Sequence, residues 1–500
     1  MHTSAASFQP SPLAPEWLEY PADNVNHLDE AVWSTTASRT DDGELQIGGI
    51  RASALLEQFG SPLYVVDEAD VRGRAAAAAR DFAAAFAEIG AEVELHYASK
   101  AFLSIDIARW MAEAGLGLDV ASGGELEVAL AAGTDPAHIG MHGNNKSVAE
   151  ITRAVEVGVG SIIIDSLQEV ERIAQVAREL GKVQPVMVRL NAGIHASTHS
   201  YLATSHEDQK FGLTFDVARQ AVARIRELDS LSLLGLHSHI GSSIYEAAGF
   251  GAAAEKLMRF RAELLADGPV PEVNLGGGFG IAYLPSDNAP KLADLARGIA
   301  AEVAKACEDT GSDLPKITFE PGRSIVGPGG TTLYTVGTTK AVSVPLQHED
   351  SPQETASQDN PAVEHQQQGE HRDSAERLYV SVDGGMSDNI RPALYESDYT
   401  VRLANRESTA TPQLVRVVGK HCESGDIVIN SDYLPADVAP GDLLAVPATG
   451  AYCWALSNHY NYLDRPAVVA VRDGAARTLI RRITIQDQLA ADAAWSPKES

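Results

Sequence analysis

The sequence predicts an α/β protein that combines a parallel (β/α)8 barrel, of the TIM-barrel kind, with an antiparallel β domain. From Glu92 onwards, eight short apolar or β-branched runs alternate with Ala- and Leu-rich stretches of helical period. After Gly327, apolar and polar residues alternate with a period of two between Gly, Asp and Pro turns, which is typical of antiparallel strands. The length of 500 residues is sufficient for two domains.

Eight strand–helix units in one direction favour a closed barrel over an open doubly wound sheet, which rarely contains so many regular units. The first helix is expected before the first strand. The predicted strands are VELHYAS, LGLDVAS, HIGMHG, SIIIDS, PVMVRLN, SLLGLHSHI, EVNLGGG and KITFEPG. The predicted helices cover residues 69–86, 103–114, 124–132, 147–157, 167–180, 215–228, 249–266 and 292–308.

Domain boundaries follow from these changes in pattern. Residues 1–45 are polar with little periodicity and are predicted to be a flexible N-terminal arm. The barrel domain is predicted over 64–338, and the β domain over 46–63 and 339–490, with LQIGGI and PLYVVD as early strands that join the later ones. Residues 346–377 are rich in Gln, Glu, Asp, Ser and Pro. We predict a disordered insertion there, because such a segment cannot bury enough apolar surface to offset its chain entropy.

Charge and cysteine content exclude several classes of function. The chain has 68 acidic and 39 basic residues, and a net charge of −29 disfavours binding to nucleic acid or anionic membranes. Its three cysteines, Cys307, Cys422 and Cys453, do not suggest a disulfide framework. No apolar run is long enough for a membrane span, and the N-terminus lacks the pattern of a signal peptide. These features predict a cytoplasmic protein.

Polar residues interrupt the eight apolar runs at or just beyond their carboxyl ends. In a parallel barrel these ends converge on one rim, where active sites are built. The rim residues are Lys100, Asp119, Ser122, His142, Asn144, Asp165, Arg189, Asn191, His239, Ser242, Gly276, Gly277, Gly278, Glu320 and Arg323.

Four of these features suggest a particular chemistry. We expect apolar neighbours and other rim groups to lower the pKa of Lys100 and free its amine as a nucleophile. The glycines of LGGGFG can turn backbone N–H groups towards a phosphate, aided by the dipole of a following helix. Glu320 could pair with a protonated pyridine nitrogen, and His239 could stack on a planar ring. Taken singly, the alternatives are a solvated lysine, a flexible turn, a Glu320–Arg323 ion pair and a structural histidine.

Nine motifs in order resemble those of the diaminopimelate decarboxylase family. They are YASKA, DVASGGEL, HGNNKS, HSHIGS, LGGGFG, EPGRSIVG, DGGMSDNIRPALY, HCESGD and GAYCWALSNHYN. The resemblance extends from Pro62 to Thr484, apart from the Gln- and Glu-rich insertion. It implies a fold-type III, alanine-racemase-like barrel with a β domain and pyridoxal 5'-phosphate as cofactor.

The resemblance also implies a role for individual residues. Lys100 resembles the lysine that binds the cofactor covalently, His239 the histidine that stacks on its ring, and Glu320 the partner of its ring nitrogen. Cys422 resembles a proton donor contributed across a homodimer interface. The other implied cofactor contacts are Ser242, Gly276, Gly277, Gly278, Pro321, Gly322, Arg323 and Tyr452; the implied substrate contacts are Arg323, Arg391 and Tyr395 for the far carboxylate, Glu423 for the far ammonium, and Tyr452.

Substrate choice depends on the far end of the substrate. Diaminopimelate has an amino-acid head at each end, so its recognition requires a guanidinium and an acid, and NIRPALY and CES supply both. An enzyme of this fold acting on ornithine, arginine or carboxynorspermidine is the alternative, with a racemase more distant. A non-catalytic pyridoxal-phosphate carrier is a further alternative, but such carriers lack the β domain. No metal-ligand spacing is visible, so no metal is predicted.

Overall fold

The computed structural model describes residues 10–22, 24–194, 210–346 and 373–496. Its strands are β1 (Ser38–Arg39), β2 (Leu45–Ile47), β3 (Ile50–Arg51), β4 (Leu63–Asp67), β5 (Val93–Ala98), β6 (Gly117–Val120), β7 (Ile139–Met141), β8 (Ser161–Ile164), β9 (Gln184–Leu190), β10 (Leu231–Ser238), β11 (Glu272–Asn274), β12 (Lys316–Phe319), β13 (Gly330–Pro345), β14 (Ser374–Val382), β15 (Arg402–Leu403), β16 (Pro412–Val418), β17 (Ile427–Pro435), β18 (Leu443–Val446), β19 (Ala467–Arg472) and β20 (Ala475–Ile480).

The helices surround the barrel strands and cap the two domains. They are α1 (Ala52–Phe59), α2 (Glu68–Glu88), α3 (Ile105–Glu113), α4 (Gly123–Ala131), α5 (Val148–Val157), α6 (Leu167–Glu179), α7 (Phe215–Arg226), α8 (Ala247–Leu264), α9 (Leu292–Thr310), α10 (Arg323–Val326), α11 (Arg391–Tyr395) and α12 (Ile485–Ala490). No helix among the described residues is long and apolar enough to cross a membrane.

Strands β5 to β12 close a barrel of eight parallel strands, which confirms the predicted fold class. The last strand, β12, pairs with the first, β5, through Phe319 and Leu95. Four aromatic rings from α2, β12 and the β11–α9 loop pack together: Phe82, Phe86, Phe279 and Phe319. This apolar layer fixes the barrel wall on the side where β11, β12 and β5 carry predicted site residues.

Serine or threonine starts five of the barrel helices and so sets where the rim loops end. Ser104, Ser122, Ser147, Ser166 and Thr214 each accept a hydrogen bond from a backbone N–H of the first helical turn. Such caps satisfy N–H groups that have no partner within the helix. Ser122, which was predicted as a rim residue, therefore acts as the N-cap of α4.

The β domain is a mixed sheet, which corrects the prediction of an antiparallel one. Its order is β17-β16-β14-β13-β4-β19-β20, with β18 and β15 attached beside β13. The β4–β19 and β14–β16 pairs are parallel, whereas most others are antiparallel. Strand β4 of PLYVVD joins this sheet as expected, but LQIGGI contributes β2 and β3 to a small separate sheet with β1. The predicted barrel range of 64–338 is therefore too wide at both ends. Most of strand β4 and the first part of β13 fall within this range but pair in the β-domain sheet.

The described part of the N-terminal segment packs on the β domain, in contrast to the predicted flexible arm. Val32 and Trp33 are buried. Arg39 donates hydrogen bonds to the carbonyl groups of Asn26 and Leu403. Two apolar side chains and one arginine thus anchor a segment whose composition is otherwise polar. Residues 1–9 and 23 lie outside the described residues.

Most of the predicted insertion also lies outside the described residues, which stop at 346 and resume at 373. The last predicted insertion residues, from Ser374, begin β14, which pairs with β13 over nine residue pairs. Alternate residues of β14 face the core, and this periodicity is obscured in the sequence by the adjoining polar segment.

Candidate active site

Lys100 and Glu320 follow two neighbouring strands and lie at the same end of the barrel. Lys100 is in the turn after β5, and Glu320 follows β12 directly. The two strands are paired in parallel. Beyond them, the Ala98 N–H donates a hydrogen bond of 3.0 Å to the Pro321 carbonyl group. The predicted amine and carboxylate therefore share one mouth of the barrel.

The pKa of Lys100 is raised, so the expected lowering is wrong. Burial opposes the charge of the ammonium group, but Tyr452, Asp119 and Glu320 outweigh this effect and raise the pKa. The sequence showed the polar residues of the rim but not which of them act on the charge of this amine. Lys100 is therefore protonated in the free site and is solvent-accessible from the mouth.

Glu320 is a buried carboxylate surrounded by nitrogen atoms. The Asn274 side-chain amide donates a hydrogen bond of 2.8 Å to its Oε1. The Nε2 atoms of His142 and His237 lie 3.3 and 3.1 Å from the same oxygen. Burial opposes ionisation, but the two histidines outweigh it and hold the pKa of Glu320 well below its usual range. Glu320 therefore favours its ionised form, although no arginine or lysine among the described residues forms an ion pair with it.

The pKa of Asp119, next to this group, is shifted in the opposite direction. Burial and the negative charge of Glu320 raise its pKa well above the usual range. His142 Nε2 lies 3.3 Å from Asp119 Oδ1, and burial lowers the pKa of His142. The floor of the mouth thus has one carboxyl group with a lowered pKa and one with a raised pKa, and His142 Nε2 lies 3.3 Å from an oxygen of each.

Sequence reasoning missed His237 and Asn274, which contact Glu320. Both lie within strands, at alternating positions that face the barrel interior, rather than at the rim. The available signal was a polar residue inside an apolar run, in LLGLHSHI and EVNL. His142, His237 and Glu320 also offer ligand atoms within 4.8 Å of one another, a set that no regular sequence spacing reveals.

The three glycines 276–278 follow β11 and have no room for side chains. A Cβ atom on Gly277 would lie 2.0 Å from the Glu320 carbonyl oxygen, and one on Gly278 would lie 2.2 Å from the Gly241 carbonyl oxygen. Gly276 and Gly278 also have positive φ angles of 71° and 106°, which disfavour other residues. The predicted helix dipole is wrong, because the next helix, α9, starts only at Leu292.

Two side chains connect this glycine turn to the rest of the mouth. Asn274 accepts a hydrogen bond of 2.8 Å from the Gly276 N–H while it donates to Glu320. His239 Nδ1 accepts one of 3.3 Å from the Gly277 N–H. Burial lowers the pKa of His239 to about 3, so its ring is neutral. Asn274 thus connects the glycine turn to Glu320 by hydrogen bonds, and His239 connects the same turn to the end of β10.

Arg323 does not pair with Glu320, which was the alternative considered for EPGR. Its guanidinium donates hydrogen bonds to the Tyr283 hydroxyl and, over 2.8 Å, to Ser242 Oγ. It lies 4.8 Å from the Tyr452 ring centroid. The Tyr452 N–H donates to the Ala101 carbonyl over 2.8 Å, next to Lys100. Ser242, Arg323, Tyr452 and the Lys100 turn therefore lie together.

Arg391 is buried at 5% exposure, whereas Tyr395 of the same helix is 60% exposed. The guanidinium donates hydrogen bonds to the Tyr399 hydroxyl and, over 3.1 Å, to Ser397 Oγ. It also lies 4.6 Å from the ring centroid of Tyr283, which contacts Arg323. The structure brings Arg391 and Arg323 to one tyrosine, while Tyr395 points to the surface.

Cys422 and Glu423 are on a separate, exposed loop between β16 and β17. The Cys422 N–H donates to Asn461 Oδ1 over 3.2 Å, and the preceding His421 contacts Asn461 and Ser387. Among the described residues, no hydrogen bond or ion pair connects Cys422 or Glu423 with Lys100, Glu320 or the two arginines. The described residues of one chain therefore show no bond between this loop and the barrel mouth.

Two family models match the chain. One describes a pyridoxal-dependent decarboxylase, pyridoxal binding domain, over residues 72–327, and the other the C-terminal sheet domain of such decarboxylases, over 361–450. Diaminopimelate decarboxylase of Mycobacterium tuberculosis is 47% identical over 93% of this chain and 98% of its own length. That of Bacillus subtilis is 40% identical over 91% and 97%.

The solved structures agree with this result. The crystal structure of diaminopimelate decarboxylase from M. jannaschii in complex with L-lysine superimposes with a TM-score of 0.78 at 30% identity. The match covers 92% of this chain and 98% of that one.

Proposed function

The chain belongs to the diaminopimelate decarboxylase family of pyridoxal-dependent decarboxylases, and from this we infer that it decarboxylates meso-2,6-diaminopimelate to L-lysine and CO2. It is a carboxy-lyase that uses pyridoxal 5'-phosphate, and the reaction is the last step of lysine biosynthesis through diaminopimelate. The observation that carries the proposal, beyond relatedness, is the pair of guanidinium groups of Arg323 and Arg391 beside an amine and an ionised carboxylate.

The described residues fit the coenzyme. Glycines 276–278 have no side chains of their own that would keep a ligand away from the turn, which suits the close approach of a phosphate. We propose that this turn and Ser242 contact the phosphate and that His239 lies against the ring. Pro321, Gly322, Arg323 and Tyr452 are proposed to complete the cofactor contacts. Lys100 is the proposed site of covalent attachment.

Pyridoxal phosphate supplies an electron sink for the electron pair that remains when CO2 leaves an amino acid. The contribution of Glu320 is to hold a proton at the ring nitrogen, since an ionised carboxylate favours a neighbouring cation. Asn274, His142 and His237 keep Glu320 ionised and oriented. A neutral residue at 320 would lose this effect.

Substrate selection is proposed to depend on the far amino-acid head. Arg323 and Arg391, with Tyr395, bind its carboxylate, and Glu423 accepts its ammonium group, with Tyr452 between cofactor and substrate. A guanidinium binds a carboxylate through charge-assisted hydrogen bonds. Decarboxylation removes the carboxylate of the other head, so L-lysine retains the group that the arginines bind.

We propose a homodimer in which each site is completed by the partner subunit. The exposed position of Cys422 and Glu423, apart from the mouth of their own barrel, supports this arrangement. Cys422 would then donate a proton to the carbon atom that loses CO2. Free cysteines at all three positions support the proposed cytoplasmic location.

The proposal is tested with purified holoenzyme and a defined diaminopimelate isomer. We expect meso-diaminopimelate to yield CO2 and L-lysine in equal amounts, measured by mass spectrometry, and ornithine to yield no CO2. Arg391→Ala should raise the KM for meso-diaminopimelate by at least about tenfold, because it removes a charged hydrogen-bond donor from the substrate's far end. Turnover of ornithine without turnover of diaminopimelate would disprove the proposed substrate.

A further inference from the structure

Arg323 and Arg391, the two arginines proposed to bind the far carboxylate, have only neutral hydrogen-bond partners among the described residues. Within the described ranges, no carboxylate lies within 4.0 Å of either guanidinium group. Their hydrogen bonds go to Tyr283, Ser242, Tyr399 and Ser397 instead. For Arg391, which is 5% exposed, a buried charge without a counter-ion is costly. Binding of an external carboxylate would remove this cost, whereas binding of a neutral or cationic group would not.

Tyr283 lies between the two guanidinium groups. Its ring centroid is 4.6 Å from the Arg391 Cζ and 5.8 Å from the Arg323 Cζ, and its hydroxyl accepts a hydrogen bond from Arg323. The side chain is 8% exposed and so has little freedom to move. Cation–π contact with both groups offsets part of their mutual repulsion without neutralising either one.

Tyr399 and Ser397 hold the far side of Arg391. The Tyr399 hydroxyl accepts from Nη1 and lies 3.7 Å from Cys453 Sγ, and Ser397 accepts from Nη2. Tyr399 packs edge-on against Tyr283 with ring centroids 5.1 Å apart. Burial raises the pKa of Tyr399 well above its usual range and that of Cys453 to about 11. Both therefore remain neutral near pH 7.

We propose that Tyr283 and Tyr399 are positioning residues that form a neutral aromatic bracket, which fixes the spacing of Arg323 and Arg391 and thereby selects substrates with a far carboxylate. The proposal rests on the function proposed above. Any internal acid at this place would neutralise the arginines and remove the preference. The neutrality of the bracket is therefore as important as its shape.

The first test compares two ligands that differ by one carboxylate. L-lysine has the far carboxylate, and cadaverine has the same chain without it. In Tyr399→Phe and Tyr283→Phe holoenzymes, each of which keeps the ring and loses a hydroxyl bonded to an arginine, we expect the Kd for L-lysine to rise about tenfold. The Kd for cadaverine should change less than about twofold. Isothermal titration calorimetry measures both.

Tyr334→Phe is the matched control. Tyr334 is also a fully buried tyrosine of the β domain, but within the described part of the chain its hydroxyl has no hydrogen-bond partner, and it forms no hydrogen bond or cation–π contact with either arginine. Its two Kd values should equal those of the wild type. If the wild type itself does not prefer L-lysine over cadaverine, the proposed function fails. If the wild type prefers L-lysine over cadaverine and both Tyr283→Phe and Tyr399→Phe keep this preference unchanged, the aromatic bracket is disproved while the proposed function stands.

The second test compares two substitutions of Ser397 that have nearly the same shape and differ in charge. Ser397→Asp should place a carboxylate beside Arg391, and Ser397→Asn provides an uncharged side chain of the same size. We expect Ser397→Asp to bind L-lysine at least about tenfold more weakly than Ser397→Asn, with cadaverine bound equally or more tightly. Equal L-lysine affinity in the two variants would overturn the proposal, even if the tyrosine variants failed to fold.

Discussion

The ionisation states at the barrel mouth depend on individual neighbours and not on depth alone. Asp119 and Glu320 are both buried, yet the pKa of one is raised and that of the other is lowered. The difference arises because His142 and His237 both lie within 3.3 Å of one Glu320 oxygen, whereas Asp119 faces the charge of Glu320 itself. The pKa of Lys100 also depends on its neighbours, since Tyr452, Asp119 and Glu320 raise it against the effect of burial.

Substitution of Lys100 tests the attachment of the coenzyme. Lys100→Ala should lose the visible absorbance band of the lysine-bound coenzyme and reduce kcat by several orders of magnitude, because no other amine in the described mouth takes its place. The band is measured by spectrophotometry before and after borohydride reduction. Lys305→Met is a useful control, since Lys305 is an exposed lysine of α9 that pairs with Asp309. A variant without Lys100 that kept the band would contradict the assignment.

Asp388 gives the folded protein a predictable pH dependence. Burial, together with the negative charges of Asp383 and Asp426, raises its pKa to about 7, against hydrogen bonds from Gly385 and Ser387. An unfolded aspartate ionises near pH 3.8. Its contribution to stability is therefore complete below about pH 4 and is lost as the pH rises to about 7, with an upper limit of about 4 kcal/mol.

The measurement compares Asp388→Asn with the wild type, because an asparagine at this position does not titrate. The free energy of unfolding of the wild type, relative to the variant, should fall between pH 4 and pH 7. Denaturant titrations at several pH values give this difference. Parallel stability curves for the two proteins over this range would show that Asp388 does not titrate with a raised pKa.

Among the structural elements, the turn after β11 has the strictest backbone requirements. Gly278 has a φ of 106°, and a Cβ atom there would lie 2.2 Å from the Gly241 carbonyl oxygen. Gly278→Ala should therefore displace the turn and weaken coenzyme binding by at least about tenfold, measured by titration of the apoenzyme with pyridoxal phosphate. Gly133→Ala provides the control, since Gly133 has a φ of 85° but open space around its Cα. Equal coenzyme affinity in both variants would contradict the role of the turn.

Periodic patterns predicted the elements of this fold, and the site was predictable as far as it lies at strand ends. The eight barrel strands were visible because each run is buried on both sides. The parallel pairing of β4 with β19 was not, since almost the whole chain separates them and alternation does not encode strand direction. His237 and Asn274 were missed for a related reason, because their importance depends on contact with Glu320 across the barrel interior.

At the scale of the whole molecule, the proposed site combines parts of both domains. The barrel supplies Lys100 and Glu320, and the β domain supplies Arg391 and Tyr452, whose N–H bonds directly to the Lys100 turn. The loop with Cys422 and Glu423 belongs to the same β domain, but among the described residues no hydrogen bond or ion pair connects its two side chains with Lys100, Glu320 or the two arginines. An arrangement in which a second chain supplies the loop would account for this separation.

Mixing two inactive variants distinguishes a shared site from a site within one chain. In a dimer of one Lys100→Ala chain and one Glu423→Ala chain, one site would lack both residues and the other would lack neither. If subunits exchange at random, half of the dimers are mixed, so about a quarter of wild-type activity should return after refolding or co-expression. Each variant alone should have very low activity towards meso-diaminopimelate. If each site were contained within one chain, every chain of the mixture would lack a required residue and no activity would return. Failure of the activity to return would therefore show that Glu423 does not serve the barrel of the partner subunit.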